Sequence, residues 1–589
     1  MGKITPNQDL VAYFKNPSSP MHKQYLALRR FFVDGYTADQ VAAESGYAVG
    51  TIYAMVRDFK ADLRNEKDDP FFKAKKIGRK PIDQKGEIET LIVGFRKKYL
   101  SVPDIKIALD SMGINVSEGY IYETIHNAGF AKLPRRDKEL KHAMVSISSA
   151  NMKAPVAHRL EFKPETFSSQ LAGLLCLLPF IVNHGIDKAI EESSYPQTKE
   201  LSRISSILSF VALKSSSVKR YSSDDTWCMD RGMGLFAGLN VLPKAAWFSS
   251  YSSAITRNTN ISFLKRLHTI WLESGLLSDT ANLDFTAIPF WGDDEPFENN
   301  WSGKRAKALA SIQAAIAQDP QSGILCYGDT TVRHRNQDDV VLEFLDFYHS
   351  DPEKNSNLKY LVFDSKFTTY QNLNKLNQKD IKFLTIRRRG KQLVEKIDAI
   401  PASSWKRVKV KKANGKSRSV LACEETVKMK GYDDPIRQIY IKGNGKIKPA
   451  IIITNEFDLP MAAIIQKYSN RWLVETEIAE HIDFFHLNRN SSGIVIKVDF
   501  DLTMSILAHN IYRLFAMGFE GYSHCNAQTI FDKFITVQGE IEVGPSTILV
   551  KLKKKRTLPL ILEQMATYDE QTFPWINGMS IKFAADSTT

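Results

Sequence analysis

The sequence predicts a multidomain chain: an all-α N-terminal segment built on a pair of helix-turn-helix units, then an α/β body interrupted by a β-rich insertion. Three observations carry this prediction. Helical periodicity with matched start and stop signals occurs twice before residue 131. From about Leu276 to Asn455, short β-prone apolar runs alternate with helical stretches. The chain has 589 residues, room for several domains of about 100–200 residues each. With 43% hydrophobic and 25% charged residues, the composition is that of a globular protein, which excludes collagen, coiled coil and wholesale disorder.

In the first helical unit, GYTADQVAAESGYAVGTIYAMVRDFK, Thr37 and Gln40 have capping-box spacing and Gly46 suits a left-handed helix end. The following helix places Ile52, Val56 and Phe59 on one face and leaves Thr51, Tyr53 and Arg57 free to meet DNA. A plain helical hairpin explains this stretch equally well. The second unit, SVPDIKIALDSMGINVSEGYIYETIHNAGF, repeats the grammar. Ser101 caps a helix with Ile105, Ala108, Leu109 and Met112 on its buried stripe, and Gly113 ends it. Ser117 caps a helix carrying Ile121 and Ile125, ended by Gly129. Between the units, Gly78-Arg79-Lys80-Pro81 reads as a compact basic arm suited to a minor groove. Residues 234–255 offer a third, weaker pattern that core packing explains better.

The longest apolar stretch, Leu171 to Val182, is 12 residues long and contains a proline, whereas a membrane-spanning helix needs about 20. The N-terminal MGKITPNQDL lacks a secretory apolar core. Cys176, Cys228, Cys326, Cys423 and Cys525 form no CxxC pair, which excludes a zinc finger and points to a reducing compartment. These readings predict a soluble cytoplasmic protein.

Charge supplies the first positive clue. Of a net +13, a net +9 lies in residues 391–450, with 15 Lys+Arg against 6 Asp+Glu, and a net +6 in residues 1–141. Two separated basic modules suit a polyanion such as nucleic acid. Lys406, Arg407, Lys409, Lys411 and Lys412 would bind phosphates without reading sequence; a nuclear-localisation reading of this run is the weaker alternative. Arg387, Arg388 and Arg389 form a second phosphate-contact candidate. Asn414-Gly415 and Asn444-Gly445 signal hairpin turns in the same insertion.

Three acids stand out from their context. Asp284 lies in the β-prone run NLDFTAIPFWG, Asp364 ends the buried-strand pattern KYLVFD, and Glu475 sits in the helical segment YSNRWLVETEIAEHIDFFHLN. A carboxylate ending an apolar strand is costly unless something pairs with it, and a metal ion is one such partner. Asp329, which ends GILCYGD, competes with Asp284; Glu477 and Glu480 compete with Glu475. Three- and four-residue steps put Tyr468, Arg471 and Glu475 on one helix face, where a surface ion pair explains the last two as well as a site does.

Tyr468, Arg471 and Glu475 match the Tyr, Arg, Glu spacing of bacterial and archaeal insertion-sequence transposases of the DDE type, which have an RNase H-like catalytic core; Ile482 stands where that motif has lysine. FDSKFTTYQNLNKLNQKDIKFLTIRRRG resembles the family's strand, aspartate, helix, strand sequence, and LDFTAIPFWG its opening strand. The resemblance spans about residues 280–515. It implies an RNase H-like core with Asp284, Asp364 and Glu475 as ligands of two Mg²⁺ or Mn²⁺ ions, which suit hard oxygen donors. Tyr468 and Arg471 would hold the DNA end near the metals. Implied partners are double-stranded DNA, both transposon ends and target, and a second copy of the chain on DNA; the implied setting is the nucleoid of a prokaryote, with no membrane. Two rivals remain: a catalytically inactive, transposase-derived DNA-binding regulator, and a structure-selective nuclease on the same core.

The resulting organisation assigns residues 1–65 to a helix-turn-helix DNA-binding domain, 66–84 to a basic linker and 85–141 to a second helix-turn-helix domain. Residues 164–275 form a helical domain. The core occupies 276–390 and 456–519, split by the basic β-rich insertion at 391–455, and residues 520–589 form a C-terminal segment of unassigned role.

Overall fold

The fold, given by a computed structural model, follows the local signals closely at the N-terminus and departs from them where strands pair at long range. The structure describes residues 16–17, 19–64, 86–130, 132–133, 161–221, 227–290, 297–302, 306–350, 357–364, 369–388, 390–411, 417–443, 449–487 and 494–587. The chain forms two compact units, Met1–Gln84 and Lys85–Thr589.

In the first unit, α1 (Pro20–Phe32), α2 (Ala38–Ser45) and α3 (Val49–Arg64) surround a small core that includes Leu28, Val41, Ile52 and Val56. The predicted capping box forms: the Thr37 amide donates to Gln40 Oε1 at 2.9 Å, and the Gln40 amide to Thr37 Oγ1 at 3.4 Å. Gly46 takes φ +67°, a backbone state with no Cβ penalty only for glycine.

The second unit opens with α4 (Glu87–Lys97), α5 (Val102–Ser111) and α6 (Glu118–Asn127), packed through Ile92, Ile105, Leu109, Ile121 and Ile125. Ser101 and Asp104 form a capping box on α5, and Ser117 caps α6. Met112, expected on the buried stripe, is exposed, because α5 ends at Ser111 and the chain turns there. These helices join the body through an ion pair between Lys97 and Glu343 (2.7 Å), another between Arg335 and Glu89 (2.8 Å), and Arg333 stacked over Phe130 at 4.5 Å.

Strand β1 (Glu165–Ser169) precedes a helical region made of α7 (Leu178–Asn183), α8 (Ile186–Glu191), α9 (Arg203–Ser215), α10 (Arg231–Phe236), α11 (Ala245–Ser253) and α12 (Arg257–Glu273). The long apolar stretch becomes a buried 3-10 turn, Ala172–Leu177, leading into α7. Among the described residues, no helix is long and apolar enough to cross a membrane.

The body is built on a ten-stranded mixed sheet of β2 (Thr280–Pro289), β3 (Asn299–Ser302), β4 (Lys307–Gln318), β5 (Leu325–Val332), β6 (Tyr360–Phe363), β7 (Lys382–Ile386), β8 (Lys406–Lys411), β9 (Ser417–Val427), β10 (Ile436–Lys442) and β11 (Ala450–Thr454). β5, β4 and β2 pair antiparallel, while β2, β6 and β7 pair parallel. This arrangement is consistent with an RNase H-like core. The basic segment continues the same sheet: β11 pairs with β7, followed outward by β10, β9 and β8. Its two predicted Asn-Gly turns lie outside the described residues.

Helices α13 (Val340–Tyr348), α14 (Tyr370–Gln378), α15 (Lys391–Asp398), α16 (Met461–Ser469), α17 (Trp472–Asp483) and α18 (Val495–Met517) cover the sheet. α18 is buried along most of its length, which explains the apolar character of a helix that never leaves the interior. C-terminally, α19 (Ala527–Ile530) and α20 (Leu558–Ala566) accompany β12 (Gly539–Val543), β13 (Thr547–Leu552), β14 (Thr572–Phe573) and β15 (Met579–Ala585). These strands make a second sheet whose edge is β1, in the order β1-β12-β13-β15-β14.

Candidate active site

Strand register brings the first two acids together. In the parallel pair of β2 and β6, Leu283 faces Phe363, so the residue after each, Asp284 in the middle of β2 and Asp364 just past the C-terminal end of β6, stands at the same level. β2 pairs antiparallel with β4 on one side and parallel with β6 on the other.

The third acid arrives from the turn between α16 and α17. Tyr468 lies in the last turn of α16, whereas Glu475 belongs to α17, with Asn470 and Arg471 in the turn between them. The single helix face expected for Tyr468, Arg471 and Glu475 is therefore two helices. The turn is pinned to β2 by Asn282, a buried side chain whose Nδ2 donates to the Asn470 carbonyl at 3.2 Å.

That anchor places Arg471 in the centre. Its Nη1 donates to Asp284 Oδ2 at 2.6 Å and its Nη2 to Glu475 Oε1 at 2.8 Å, while the guanidinium lies 5.6 Å from the Tyr468 ring centroid. With a side chain only 8% exposed, Arg471 is a buried bridge rather than a surface partner. Glu475, at 52%, keeps a side open to solvent.

The electrostatics follow from this geometry. Burial pushes the Asp284 carboxyl up to about 6 against the pull of Arg471, and the nearby Glu475 and Asp364 add to the rise. Burial also works against the Arg471 charge, but Tyr468, Asp284, Glu475 and Asp364 outweigh it and hold the guanidinium charged. The Tyr468 phenol is pushed up, mainly by burial. All three acids therefore share one field.

Asp329, the rival first acid, is elsewhere. It sits on β5, with β4 between it and β2. There it pairs with Arg257 at 3.1 Å and accepts from the Thr331 amide and hydroxyl, both at 2.7 Å. Glu480 is also turned away, accepting from the Ala527 amide at 2.6 Å, with burial raising its carboxyl to about 7.

Asp284, Asp364 and Glu475 offer hard carboxylate oxygens, the donor type that suits Mg²⁺ or Mn²⁺. Among the described residues, no group of three or more His, Cys, Asp or Glu side chains is gathered for a metal. At this site Arg471 lies between two of the acids and supplies the positive charge. By donor type the three carboxylates suit a divalent ion, and Arg471 would have to give way for one to bind.

The remaining candidates divide. Lys406, Arg407, Lys409 and Lys411 are exposed on β8, at the outer edge of the sheet. Arg388 is exposed just past β7, whereas Arg387 is half-buried and donates to Gln438 Oε1 at 2.6 Å, which removes its guanidinium from open solvent. Thr51, Tyr53 and Arg57 project from α3, with Arg57 paired to Asp58 at 2.9 Å. Arg79, Lys80, Arg389 and Lys412 lie outside the described residues.

Sequence reasoning missed the polar wall beyond Asp284, where Asn300, Trp301, Gln313 and His334 border a cavity together with Phe285 and Arg388. Only Trp301, an aromatic residue amid the polar run ENNWSG, carried any local signal.

No curated protein matches the chain. Residues 283–511, from the residue before Asp284 to within α18, match the family model described as the transposase DDE domain, a domain of phosphoryl-transfer enzymes.

Proposed function

We propose that the chain is a DNA transposase that cuts at the ends of its element and joins the freed 3′-hydroxyls to target DNA. The observation that carries this reading is the placement of Asp284 and Asp364 at one level of adjacent parallel strands, with Glu475 tied to Asp284 through Arg471. DDE transposases as a class use divalent metal ions and act on DNA.

Asp284, Asp364 and Glu475 would hold two such ions, Mg²⁺ or Mn²⁺. When bound, they supply activation of the attacking oxygen and stabilisation of the leaving oxygen in an in-line displacement. The protein's own residues do the rest. Asn282 fixes the α16–α17 turn, and Tyr468 packs beneath Arg471. Arg471, freed from the acids once their charge is neutralised, is placed to grip a phosphate of the DNA end. Arg388 and the β8 row of Lys406, Arg407, Lys409 and Lys411 would hold the flanking phosphates. The first unit, with Thr51, Tyr53 and Arg57 outward, would read the terminal repeat in the major groove. A pair of chains on two ends is the expected assembly.

Asp364→Asn tests the reading, with DNA cleavage and DNA binding measured separately in Mg²⁺. Loss of cleavage with binding retained supports a metal-ligand role, and unchanged cleavage removes it. A wild-type chain that binds DNA but never nicks it in any divalent metal would instead be a regulator. One that cleaves branched DNA without joining strands would be a nuclease.

A further inference from the structure

A pocket of about 40 Å³ opens in the helical region, with walls from α9, α11, the start of α18 and residues 218–221. None of its walls comes from the central sheet, so it is separate from the acid cluster. Lys214, Lys219, Arg220 and Lys497 line it against a single carboxylate, Asp501. That carboxylate is already paired: Lys214 Nζ reaches it at 2.8 Å and also donates to the Phe485 carbonyl at 3.1 Å. Lys497 is half-buried, and its ammonium donates to a neutral partner, Ser249 Oγ, at 2.9 Å. Lys219 and Arg220 are exposed, and their charged groups form no ion pair or hydrogen bond among the described residues.

Three cations round one hollow repel one another, and burial works further against the Lys497 charge, holding the ammonium below its ordinary value. An anion in the hollow relieves both effects. Phe210, Leu213 and Phe500 form its apolar side, which weakens screening and strengthens a charge pair made there. The chain around it is held in an uncommon state. Ser217 (φ +52°) and His486 (φ +54°) both take left-handed backbone, and His486 Nε2 lies 3.1 Å from Ser217 Oγ. Such non-glycine residues concentrate at ligand clamps and active sites, and His486 itself lines the hollow. At about 10–15 Å³ for each water-sized sphere, the space has room for one oxyanion and none for a nucleoside.

We infer that this pocket is an oxyanion site that takes one phosphate group, with Lys497 at its base and Lys219 and Arg220 at its mouth. Lys497 keeps two of its three N–H donors for the ligand, and the Arg220 guanidinium offers paired donors. Because Lys219 and Arg220 are exposed, the phosphate can arrive as part of a polymer, and a backbone phosphate of duplex DNA is the favoured source. Free orthophosphate shares the same chemistry. No acid of the candidate active site takes part, so this site goes beyond the cleavage reading and does not depend on it.

The test uses the full chain in EDTA and follows binding to a fluorescent duplex over a range of salt. Each phosphate contact adds about 0.9 to the slope of log affinity against log salt. The double variant Lys497→Gln/Arg220→Gln is expected to lower that slope by about 0.9 and to weaken binding about tenfold at fixed salt. Lys553→Gln/Lys554→Gln removes the same charge from an exposed stretch past β13 and should leave both values near wild type. Glutamine at 497 retains a donor for Ser249 and Arg220 is exposed, so the fold should survive, which matching unfolding curves check. In a second arm, orthophosphate alone should raise the melting temperature of wild type and not of Lys497→Gln/Arg220→Gln. An unchanged salt slope with that melting shift intact supports the site and assigns it to the free anion. No response specific to Lys497→Gln/Arg220→Gln with either probe, an equal slope loss in the control included, overturns the inference. Cleavage in Mg²⁺ tests the acids alone: a chain that shows the slope change yet never cuts keeps the phosphate site and sinks the transposase reading.

Discussion

Two aspartate–arginine clusters lie on the same sheet, and they are built to opposite ends. Around Arg257, Asp329 and Asp499 are almost wholly enclosed, and their oxygens are met by Thr331, Thr330, Asn260 and Tyr327 as well as by the guanidinium. Around Arg471, Asp284 is enclosed, but Glu475 stands half in solvent and Arg471 Nε is buried without a partner among the described residues. The carboxyl groups differ within the clusters as well as between them. At Asp329 burial is overcome by Arg257, Lys97 and the Thr331 donors, and the carboxyl falls below its ordinary value. At its neighbour Asp499, and at Asp284 in the other cluster, burial wins. A saturated cluster holds a fold together, whereas one left short of partners is ready for something else.

The largest expected effect separates the two directly. Asp284→Asn should lower Mg²⁺-dependent cleavage about a thousandfold or more, the several kcal/mol that metal-assisted charge stabilisation supplies. Asp329→Asn should leave the cleavage rate of its folded fraction near wild type, as gel-based cleavage normalised by circular dichroism would show. Equal losses would merge the clusters into one function.

Stability should show the reverse order. Arg257→Met leaves two buried carboxylates facing each other, and removing one partner of a buried pair costs about 3–5 kcal/mol. Urea unfolding followed by tryptophan fluorescence measures this; a midpoint close to wild type would mean the enclosed cluster is not a structural anchor.

Metal gives a third handle. Mg²⁺ at about a hundred times its dissociation constant should add about 2.7 kcal/mol to the folded state. A rise in melting temperature is expected for wild type and not for Asp284→Asn, and a rise common to both would move the metal elsewhere. The smallest effect belongs to Lys97→Ala, which loses the pair with Glu343 and should cost about 1 kcal/mol or less. A greater loss by thermal melting would make Lys97 part of the Asp329 cluster rather than its periphery.

What the sequence revealed depended on the range of the interactions involved. Capping at Thr37, Ser101 and Ser117 and the glycine stops at Gly46, Gly113 and Gly129 are decided within a few residues, so the two helices they bound in each unit were legible, whereas the first helix of each was not singled out. Asp364 was legible as a charge ending an apolar strand. The link from Arg471 to Asp284 was not, because it spans 187 positions and depends on which strands become neighbours. The same reason hid the continuation of the central sheet through β8–β11 and the cavity assembled from several strands. The break at Asn470 escaped because helical periodicity runs on past it.

The motif likewise says nothing of charge. Residues 86–130 carry 4 Lys+Arg against 6 Asp+Glu, whereas residues 19–64 carry 6 against 5. Of two units with the same helical grammar, only the first has a net positive charge.

The pairing of β1 with β12, in which Glu165 faces Val543, also bears on biosynthesis. A nascent chain holds β1 without its neighbour until residues 539–543 have left the ribosome, some 370 positions later. Assembly of this second sheet therefore comes late, after translation has passed the acids of the central one.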